Sequence, residues 1–105
     1  MRRFDVYLTN LEPAYGREMK KIRPALIVSP DEMNQYCGTV IIAPMTSKKR
    51  DYPSRAKIIF QKIRGQVALD QIRVVDKRRL IKHLGKINKR NADRVLSVLG
   101  EMFAR

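Results

Sequence analysis

The sequence predicts a small, mainly β domain in which short strands form a twisted barrel or half-barrel and a terminal helix packs against it. Three observations predict this fold class. Short apolar or alternating segments recur along the chain between polar stretches that contain turn residues. The last part of the chain carries an apolar stripe at helical spacing. Finally, 105 residues with 44% hydrophobic content suffice for a single domain with its own core.

The first part of the chain is predicted to contain two strands joined by a long loop. Residues 4–11 (FDVYLTNL) alternate weakly between apolar and polar side chains, which favours a strand. Residues 13–22 form a loop, because Pro13 and Gly16 interrupt any regular pattern. The run PALIVS (24–29) is continuously apolar and therefore predicts a central strand.

A short helix is predicted directly after the PALIVS strand and should end near Tyr36. Ser29 stands where an N-cap residue would, and Pro30 fits the first helical position. Glu32 follows three residues after the cap and completes a capping-box pattern.

The middle of the chain is predicted to hold two more strands. TVIIAP (39–44) reads as a buried strand and AKIIF (56–60) as a returning one, with a polar loop between them. Arg64 and Gly65 mark the turn that follows.

The remaining chain is predicted to run from an extended segment into a helix. Residues 66–75 are extended with a bend near Asp70, and Asp76 caps a single helical turn at 76–80. The helix covers residues 91–103 with Asn91 as its cap. Its apolar stripe is interpreted as a core face rather than a partner groove; it consists of Val95, Leu96, Val98, Leu99, Met102 and Phe103.

The charge balance is the most informative total in this sequence. Twenty-three Lys and Arg against ten Asp and Glu give a net charge of +13. About 2 to 8 net charges suffice to keep a small domain soluble. The excess therefore indicates a polyanionic partner, with nucleic acid first and membrane headgroups or an acidic protein next. The alternative is a basic surface without a target.

Cysteine and hydropathy patterns indicate a cytoplasmic protein without a membrane partner. The single cysteine, Cys37, excludes an internal disulfide and leaves no ligand set for structural zinc. The longest apolar runs, such as VIIA (40–43), fall far short of the ~20 residues that span a bilayer. The N-terminus MRRFDVYL shows no apolar signal-peptide region.

The catalytic groups that most hydrolases use are missing from the sequence. His83 is the one histidine, no Gly-rich phosphate loop occurs, and the carboxylates are scattered rather than paired. We therefore expect neither a metal nor another cofactor. A protein of this composition that cuts a phosphodiester would act on RNA, because the 2′-hydroxyl is a built-in nucleophile. Such a site must position the phosphate, move protons and neutralise charge on the phosphorane.

A few polar side chains are candidates for that chemistry. Arg23 precedes Pro24 and the buried strand, so its guanidinium could grip phosphate oxygens from a fixed backbone; it could equally be an ordinary loop arginine. Thr46 and Ser47 follow the TVIIAP strand and could donate to the phosphate, or simply form a turn. Glu18 and Asp70 could accept a proton, orient Arg23 or form a salt bridge.

Five blocks of sequence, in order along nearly the whole chain, resemble the MazF/PemK family of bacterial toxin–antitoxin toxins. The blocks are DVYLxNLxP (5–13), GxE (16–18), RPALIVS (23–29), IIAPMTS (41–47) and LDQIRxVDKxRL (69–80). The resemblance implies an SH3-like small β-barrel with a C-terminal helix (MazF/PemK/CcdB-like) that works as a homodimer. It also implies a metal-independent, sequence-specific endoribonuclease that leaves 2′,3′-cyclic phosphate and 5′-hydroxyl ends on single-stranded RNA.

The resemblance also implies roles for particular residues. Arg23 would stabilise the transition state, Thr46 and Ser47 would bind the scissile phosphate, and Glu18 would be a further catalytic residue. Apart from the resemblance, two loops beside these residues are candidates for RNA binding, with lysines and arginines for the backbone and tyrosines for base stacking. Such a charge run could also be an ordinary solvated loop. The candidate RNA-binding residues are Tyr15, Arg17, Lys20, Lys21, Lys48, Lys49, Arg50, Tyr52, Asp70 and Gln71.

The partners implied by the resemblance are RNA and a cognate acidic antitoxin, which would lie across the basic groove. Operator DNA would be bound only through the antitoxin complex. Two alternatives stay open at this level: a basic nucleic-acid-binding module without catalysis, and a gyrase-inhibiting toxin of the same fold.

The sequence departs from the family pattern at three positions. Many relatives carry His or Ser before the first-loop glutamate and Gln after it, where this chain has Arg17 and Met19. Some relatives place an arginine two residues before the aspartate, where this chain has Ala68. A histidine- or arginine-assisted mechanism at those positions is therefore not expected, and Arg23 gains importance.

Overall fold

The computed structural model describes residues 1–105 as a curled, wholly antiparallel sheet with a C-terminal helix packed on it. The strands are β1 (Asp5–Asn10), β2 (Ile22–Ile27), β3 (Thr39–Thr46), β4 (Arg55–Phe60), β5 (Ile63–Ala68), β6 (Arg73–Asp76) and β7 (Leu80–Lys86). Two α-helices, α1 (Asp31–Tyr36) and α2 (Lys89–Phe103), and two single 3₁₀ turns, Leu69–Gln71 and Lys77–Arg79, complete the chain. Neither α-helix is long and apolar enough to cross a membrane.

Strand β3 is the element on which the sheet curls. The strand order is β4-β5-β3-β2-β1-β7, and β6 pairs with the first half of β3. The last residue of β3, Thr46, pairs with Gln66 of β5 instead. Because one long strand takes different neighbours along its length, the sheet bends into a half-barrel. The predicted fold class, mainly β with a C-terminal helix, is confirmed.

The core consists of two apolar clusters on opposite faces of the sheet. The larger cluster lies against α2 and includes Leu26 and Val95, whereas the smaller one includes Ala25, Ile27 and Ile42. Neighbouring residues of β2 therefore point to opposite faces, and both faces are buried. This explains why the strand reads as a continuous apolar run rather than an alternating one.

The N-cap of helix α2 lies three residues before the predicted cap. Asn88 is the N-cap, and its side chain accepts a hydrogen bond from the Asn91 N–H at 2.9 Å. Asn91, the predicted cap, is buried instead and donates from Nδ2 to the Ile59 carbonyl at 2.8 Å. The predicted core face is confirmed for Val95, whose side chain is fully buried, while Phe103 is exposed.

The capping box predicted for α1 does not form. Pro30 is the N-cap and makes no side-chain cap bond. The Ser29 hydroxyl donates to Asn34 Oδ1 at 2.5 Å and accepts from the Ile41 N–H at 3.0 Å. Ser29 thus joins α1 to β3, because its hydroxyl is bonded to one group of each element.

The turn predicted at Arg64 and Gly65 lies elsewhere. Gln61 and Lys62, with φ of 50° and 66°, connect β4 to β5. Gly65 belongs to β5, where an added Cβ would stand 3.0 Å from the Thr46 carbonyl oxygen. This glycine therefore permits a close approach between two backbones rather than a turn.

The end of the sheet was predicted in part. The bend near Asp70 is the 3₁₀ turn Leu69–Gln71, and Asp76 caps the next turn by accepting from the Arg78 N–H at 2.8 Å, as predicted. Strand β7 was not predicted. Its pairing with β1 contains two register shifts, so its side chains do not alternate regularly between buried and exposed.

Candidate active site

A cleft of about 890 Å³ opens between the loops that follow β1 and β3 and the β4–β5 hairpin. Many of the sequence-predicted site residues line it, namely Arg17, Arg23, Thr46, Ser47, Lys48, Arg50, Tyr52, Asp70 and Gln71. The other predicted residues do not line it; these are Tyr15, Glu18, Lys20, Lys21 and Lys49. The family's arginine and its two hydroxyl residues therefore share one cleft within a single chain.

Arg23 stands on β2, opposite Thr9 of β1. Its Nε donates to the Lys20 carbonyl oxygen at 3.2 Å, which is the one hydrogen bond that its side chain makes. The two terminal nitrogens of the guanidinium are therefore left free to bind a ligand. Since Pro24 and Ala25 continue the strand into the core, the backbone beneath Arg23 is held in place.

Thr46 and Ser47 stand where β3 ends at the wall of the cleft. The Thr46 hydroxyl oxygen accepts a hydrogen bond from the Lys48 N–H at 3.1 Å. Its own hydrogen makes no bond within the protein and remains available to a ligand oxygen. Ser47 is exposed beside it. The pair can supply neutral donors next to the charged donors of Arg23.

Glu18 stabilises the conformation of the first loop. Its Oε1 accepts a hydrogen bond from the Tyr15 N–H at 2.6 Å, and the Glu18 N–H donates back to the Tyr15 carbonyl at 3.0 Å. These two bonds close a turn within the loop. Among the carboxylates of the chain, Asp70 is the one that lines the cleft.

Asp70 is paired with Arg55, a residue that the sequence analysis did not select. Arg55 Nε lies 2.7 Å from Asp70 Oδ1, and Arg55 Nη2 lies 3.2 Å from Oδ2. Partial burial acts to raise the pKa of Asp70, but the hydrogen bonds and the positive charge of Arg55, together with a backbone hydrogen bond, outweigh it and hold that pKa below its ordinary value. Asp70 therefore stays ionised and orients Arg55, not Arg23.

Arg55 lies beneath Tyr52, an aromatic residue that lines the cleft. Its side chain is only 7% exposed, and its guanidinium carbon lies 5.1 Å from the centre of the Tyr52 ring. Arg55 pairs across the sheet with Ala68. An arginine thus reaches the aspartate from the neighbouring strand, although the position two residues before Asp70 carries only a methyl group. Arg55 is identified by this cross-strand register, which the structure provides and the sequence does not.

Replacing Arg55 by methionine is expected to lower the free energy of unfolding by about 1–3 kcal/mol at pH 7, because Asp70 loses its partner. Asp70 has a lowered folded pKa, so its contribution is present above the unfolded value of about 3.9. It is lost as pH falls through the folded pKa. Urea denaturation should therefore show the difference between variant and wild type shrinking below about pH 4.

The control for Arg55 is Arg78→Met, which removes an arginine from an exposed pair with Asp76. The Arg78 side chain is 90% exposed, so this variant should lose clearly less stability than Arg55→Met. Equal losses in the two variants at pH 7 would contradict a special role for the Arg55–Asp70 pair.

The Gln66 side chain holds the loop after β3 by two hydrogen bonds to its backbone. This buried side chain accepts from the Arg50 N–H at 3.2 Å through Oε1 and donates to the Arg50 carbonyl at 2.9 Å through Nε2. It therefore pairs with the loop backbone as a neighbouring strand would. The loop that carries Lys48 and Tyr52 is fixed at its middle.

Two arginines anchor the start of the first loop. Arg73 Nη1 donates to the Leu11 carbonyl at 3.1 Å, and Arg79 Nη1 donates to the carbonyls of Asn10 and Glu12. These two cations are bonded within the fold.

The cleft is lined by arginines and a lysine that no carboxylate neutralises: Arg17, Arg23, Lys48, Arg50 and Arg64. The cleft therefore attracts anions. No group of three or more His, Cys, Asp or Glu side chains comes together in the structure.

The fold and cleft define a β half-barrel protein with arginine and hydroxyl donors in one positively charged cleft. The sequence profile of the family described as PemK-like, MazF-like toxins of type II toxin–antitoxin systems matches residues 2–103. The chain therefore belongs to this family, as its five sequence blocks predicted.

Individual relatives agree with this assignment. The chain is 41% identical over 86 residues to the endoribonuclease MazF of Staphylococcus saprophyticus, which covers 76% of this chain and 72% of that protein. It is similar to the crystal structure of MazF from Deinococcus radiodurans, with 27% identity, a TM-score of 0.85, and 97% and 94% of the two chains covered. A MazE–MazF structure from the same organism aligns with 27% identity, a TM-score of 0.78 and the same coverage of 97% and 94%.

Proposed function

We propose that this chain is an endoribonuclease that cuts single-stranded RNA at short specific sequences, as the toxin of a type II toxin–antitoxin system. The observation that carries the proposal is that Arg23, Thr46 and Ser47 line the same cleft. Relatives described as endoribonuclease MazF support it. RNA is cytoplasmic, and in that compartment the exposed thiol of Cys37 also stays reduced.

In the proposed mechanism the RNA strand is cleaved by its own sugar. The 2′-oxygen attacks the adjacent phosphorus, the P–O5′ bond breaks, and the proton lost by the 2′-hydroxyl is balanced by the one that the 5′-oxygen gains. The terminal nitrogens of Arg23 bind the non-bridging phosphate oxygens, whose charge grows in the transition state. The Thr46 and Ser47 hydroxyls donate to the same oxygens. The products are a 2′,3′-cyclic phosphate and a 5′-hydroxyl end.

The unpaired cations around this site would hold the rest of the RNA strand. Arg17, Lys48 and Arg50 line the cleft and would contact phosphates, while Tyr52 offers an aromatic face for a base. The remaining predicted RNA-binding residues of the two loops stand outside the cleft lining and would meet the strand as it leaves: Tyr15, Lys20, Lys21 and Lys49. Asp70 and Gln71 border the same cleft.

The two predicted carboxylates, Asp70 and Glu18, are poorly suited to transfer protons directly. Asp70 is bound by Arg55 and its pKa is lowered, which makes it a weak base. Glu18 is bound to the Tyr15 N–H, so it would act mainly by shaping the first loop. We therefore propose that most of the catalytic effect comes from charge stabilisation by Arg23.

The experiment that tests the function is incubation of the purified protein with a long single-stranded RNA in excess EDTA. Discrete fragments whose 5′ ends accept phosphate from polynucleotide kinase without prior phosphatase treatment are the expected result. An RNA with 2′-deoxyribose at the cut position should stay intact, since it lacks the nucleophile. Salt-sensitive binding of RNA without any cleavage would instead indicate a basic nucleic-acid-binding module.

An acidic antitoxin segment is the proposed regulator of this cleft. The unpaired positive charge that would attract RNA suits an acidic peptide equally well, and such segments commonly fold on binding. Structures described as MazE–MazF complexes from Deinococcus radiodurans support this partner. Operator DNA would be reached only through that complex. Simultaneous full-affinity binding of RNA and the antitoxin peptide would contradict a shared cleft.

A homodimer is the proposed working form. Apolar side chains are exposed on strands β6 and β7, at Val74 (57%) and Ile81 (53%), and β7 ends the sheet without a further partner. Covering such an edge with a second copy would remove apolar surface from water. Sedimentation as a monomer at micromolar concentration would argue against it.

A further inference from the structure

Gln71 uses both ends of its side chain to hold the first loop. Its Oε1 accepts a hydrogen bond from the Met19 N–H at 2.5 Å, and its Nε2 donates to the Arg17 carbonyl at 3.2 Å. Residues more than fifty positions apart in the sequence are thereby joined. Each of the two amide atoms thus already makes one hydrogen bond to the backbone of this loop.

The segment that Gln71 holds is the one that orients Arg23. Lys20 directly follows Met19, and the Lys20 carbonyl accepts the single hydrogen bond made by Arg23 Nε, at 3.2 Å. The Lys20 carbonyl lies two peptide units after the Met19 N–H, so fixing Met19 restricts the position of this carbonyl and, through it, the direction of the guanidinium. The peptide unit that contains the Lys20 carbonyl is held on its other side by Glu12, whose Oε1 accepts a hydrogen bond from the Lys21 N–H at 2.9 Å. Gln71 and Glu12 therefore hold the Lys20 segment between them.

Gln71 itself stands on a rigid base. Leu69, which begins the same 3₁₀ turn, is fully buried, and Asp70 is bound at both carboxylate oxygens by Arg55. The loop is also anchored at its other end, where Arg73 donates to the Leu11 carbonyl. The stretch between these two anchors includes Gly16 with φ of 59° and contains no regular structure.

We propose that Gln71 is a positioning residue of the cleavage reaction, which acts by holding the Met19–Lys20 backbone where it aims Arg23 at the phosphate. The inference rests on the proposed endoribonuclease function. Its effect is on the rate of the chemical step, because a displacement of about 1 Å in a group that stabilises the transition state costs up to about 100-fold in rate. Direct contact between the Gln71 amide and RNA is the opposing explanation.

The first test uses the free protein and no RNA. Gln71→Met keeps the side-chain length and removes both hydrogen bonds, so amide hydrogen exchange at Met19 should become at least about tenfold faster. Gln35→Met is the matched control, since Gln35 is exposed on α1 and makes no side-chain hydrogen bond. Unchanged exchange at Met19 in Gln71→Met would overturn the inference.

The second test separates positioning from RNA contact. In Gln71→Met, kcat should fall about 10- to 100-fold while the Kd for an RNA with 2′-deoxyribose at the cut position changes by less than about threefold. In an Arg23→Lys background, which already lacks the bond to Lys20, the same substitution should cause little further loss.

The outcomes of these tests are distinct. A raised Kd with unchanged kcat would identify Gln71 as an RNA contact and overturn the positioning role. A full, independent loss in the Arg23→Lys background would do the same. A wild-type protein that cuts no RNA would refute the proposed function, whereas the exchange measurement reports on the Gln71 contact alone.

Discussion

Replacing Arg23 by alanine is expected to lower the RNA cleavage rate by about 10³-fold, which is the range for losing an arginine that stabilises a phosphoryl transition state. The terminal nitrogens of its guanidinium make no hydrogen bond within the protein, so the substitution removes ligand contacts rather than structure. RNA affinity should fall only a few-fold, because Arg17, Lys48 and Arg50 remain in the cleft. Single-turnover cleavage of a short RNA measures the rate directly.

Two further variants make the Arg23 result interpretable. Arg23→Lys keeps the positive charge but loses the planar fork, and should retain intermediate activity. Arg90→Ala removes an arginine from the exposed face of α2, away from the cleft, and should cut at the wild-type rate. If Arg23→Ala cuts as fast as Arg90→Ala, the assignment of Arg23 is wrong.

Replacing Thr46 by valine is expected to reduce cleavage by about 10²-fold, the effect of removing one neutral donor to a developing oxyanion. Valine has nearly the shape of threonine and favours strands equally, so β3 should keep its pairing. The Lys48 N–H loses its acceptor, but it is exposed and can bond to water. Thr46→Ser restores a hydroxyl and should return most of the activity.

The same substitution elsewhere on β3 controls for effects on the strand. Thr39 starts that strand, pairs with Asp76 and lies outside the cleft, so Thr39→Val should leave cleavage unchanged. Thermal denaturation of both valine variants should give melting temperatures within a few degrees of wild type. Full activity in a stably folded Thr46→Val would remove Thr46 from the mechanism.

The strands that could be predicted from the sequence are those whose side chains are buried on both faces. The apolar runs of β2 and β3 are visible in the sequence. In β2, for example, Ala25, Leu26 and Ile27 all belong to one core cluster or the other. Strand β7 could not be found in this way, since the edge of the sheet leaves Ile81, Lys82 and His83 exposed. Its existence depends on pairing with β1, which is far away in the sequence.

Turns and caps were misplaced where a polar or small residue is used for tertiary contact. Gly65 resembles a turn residue, but its lack of a side chain serves the approach to Thr46. Ser29 and Asn91 resemble helix caps, but their hydrogen bonds are to Asn34 with Ile41 and to Ile59, respectively. Local rules assign such residues to local roles, and only the fold shows the distant partner.

The residues of the candidate site also fall into two groups, those that the sequence predicted and those that only the fold revealed. Arg23, Thr46 and Ser47 were selected because they stand at the ends of core strands and match family blocks. Arg55 and Gln66 were not selected, because their roles come from partners about fifteen residues away across the sheet. The sequence offers no pattern for an arginine that supports an aspartate from a neighbouring strand.

The close contact at Gly65 bears on how a cell can lose the activity of such a toxin. A side chain at position 65 would force the Thr46 carbonyl aside by a few tenths of an ångström, since the added carbon would meet it at 3.0 Å. One nucleotide change in a glycine codon suffices for this. Because Thr46 lines the cleft, such a change is expected to lower the cleavage rate while the protein stays folded.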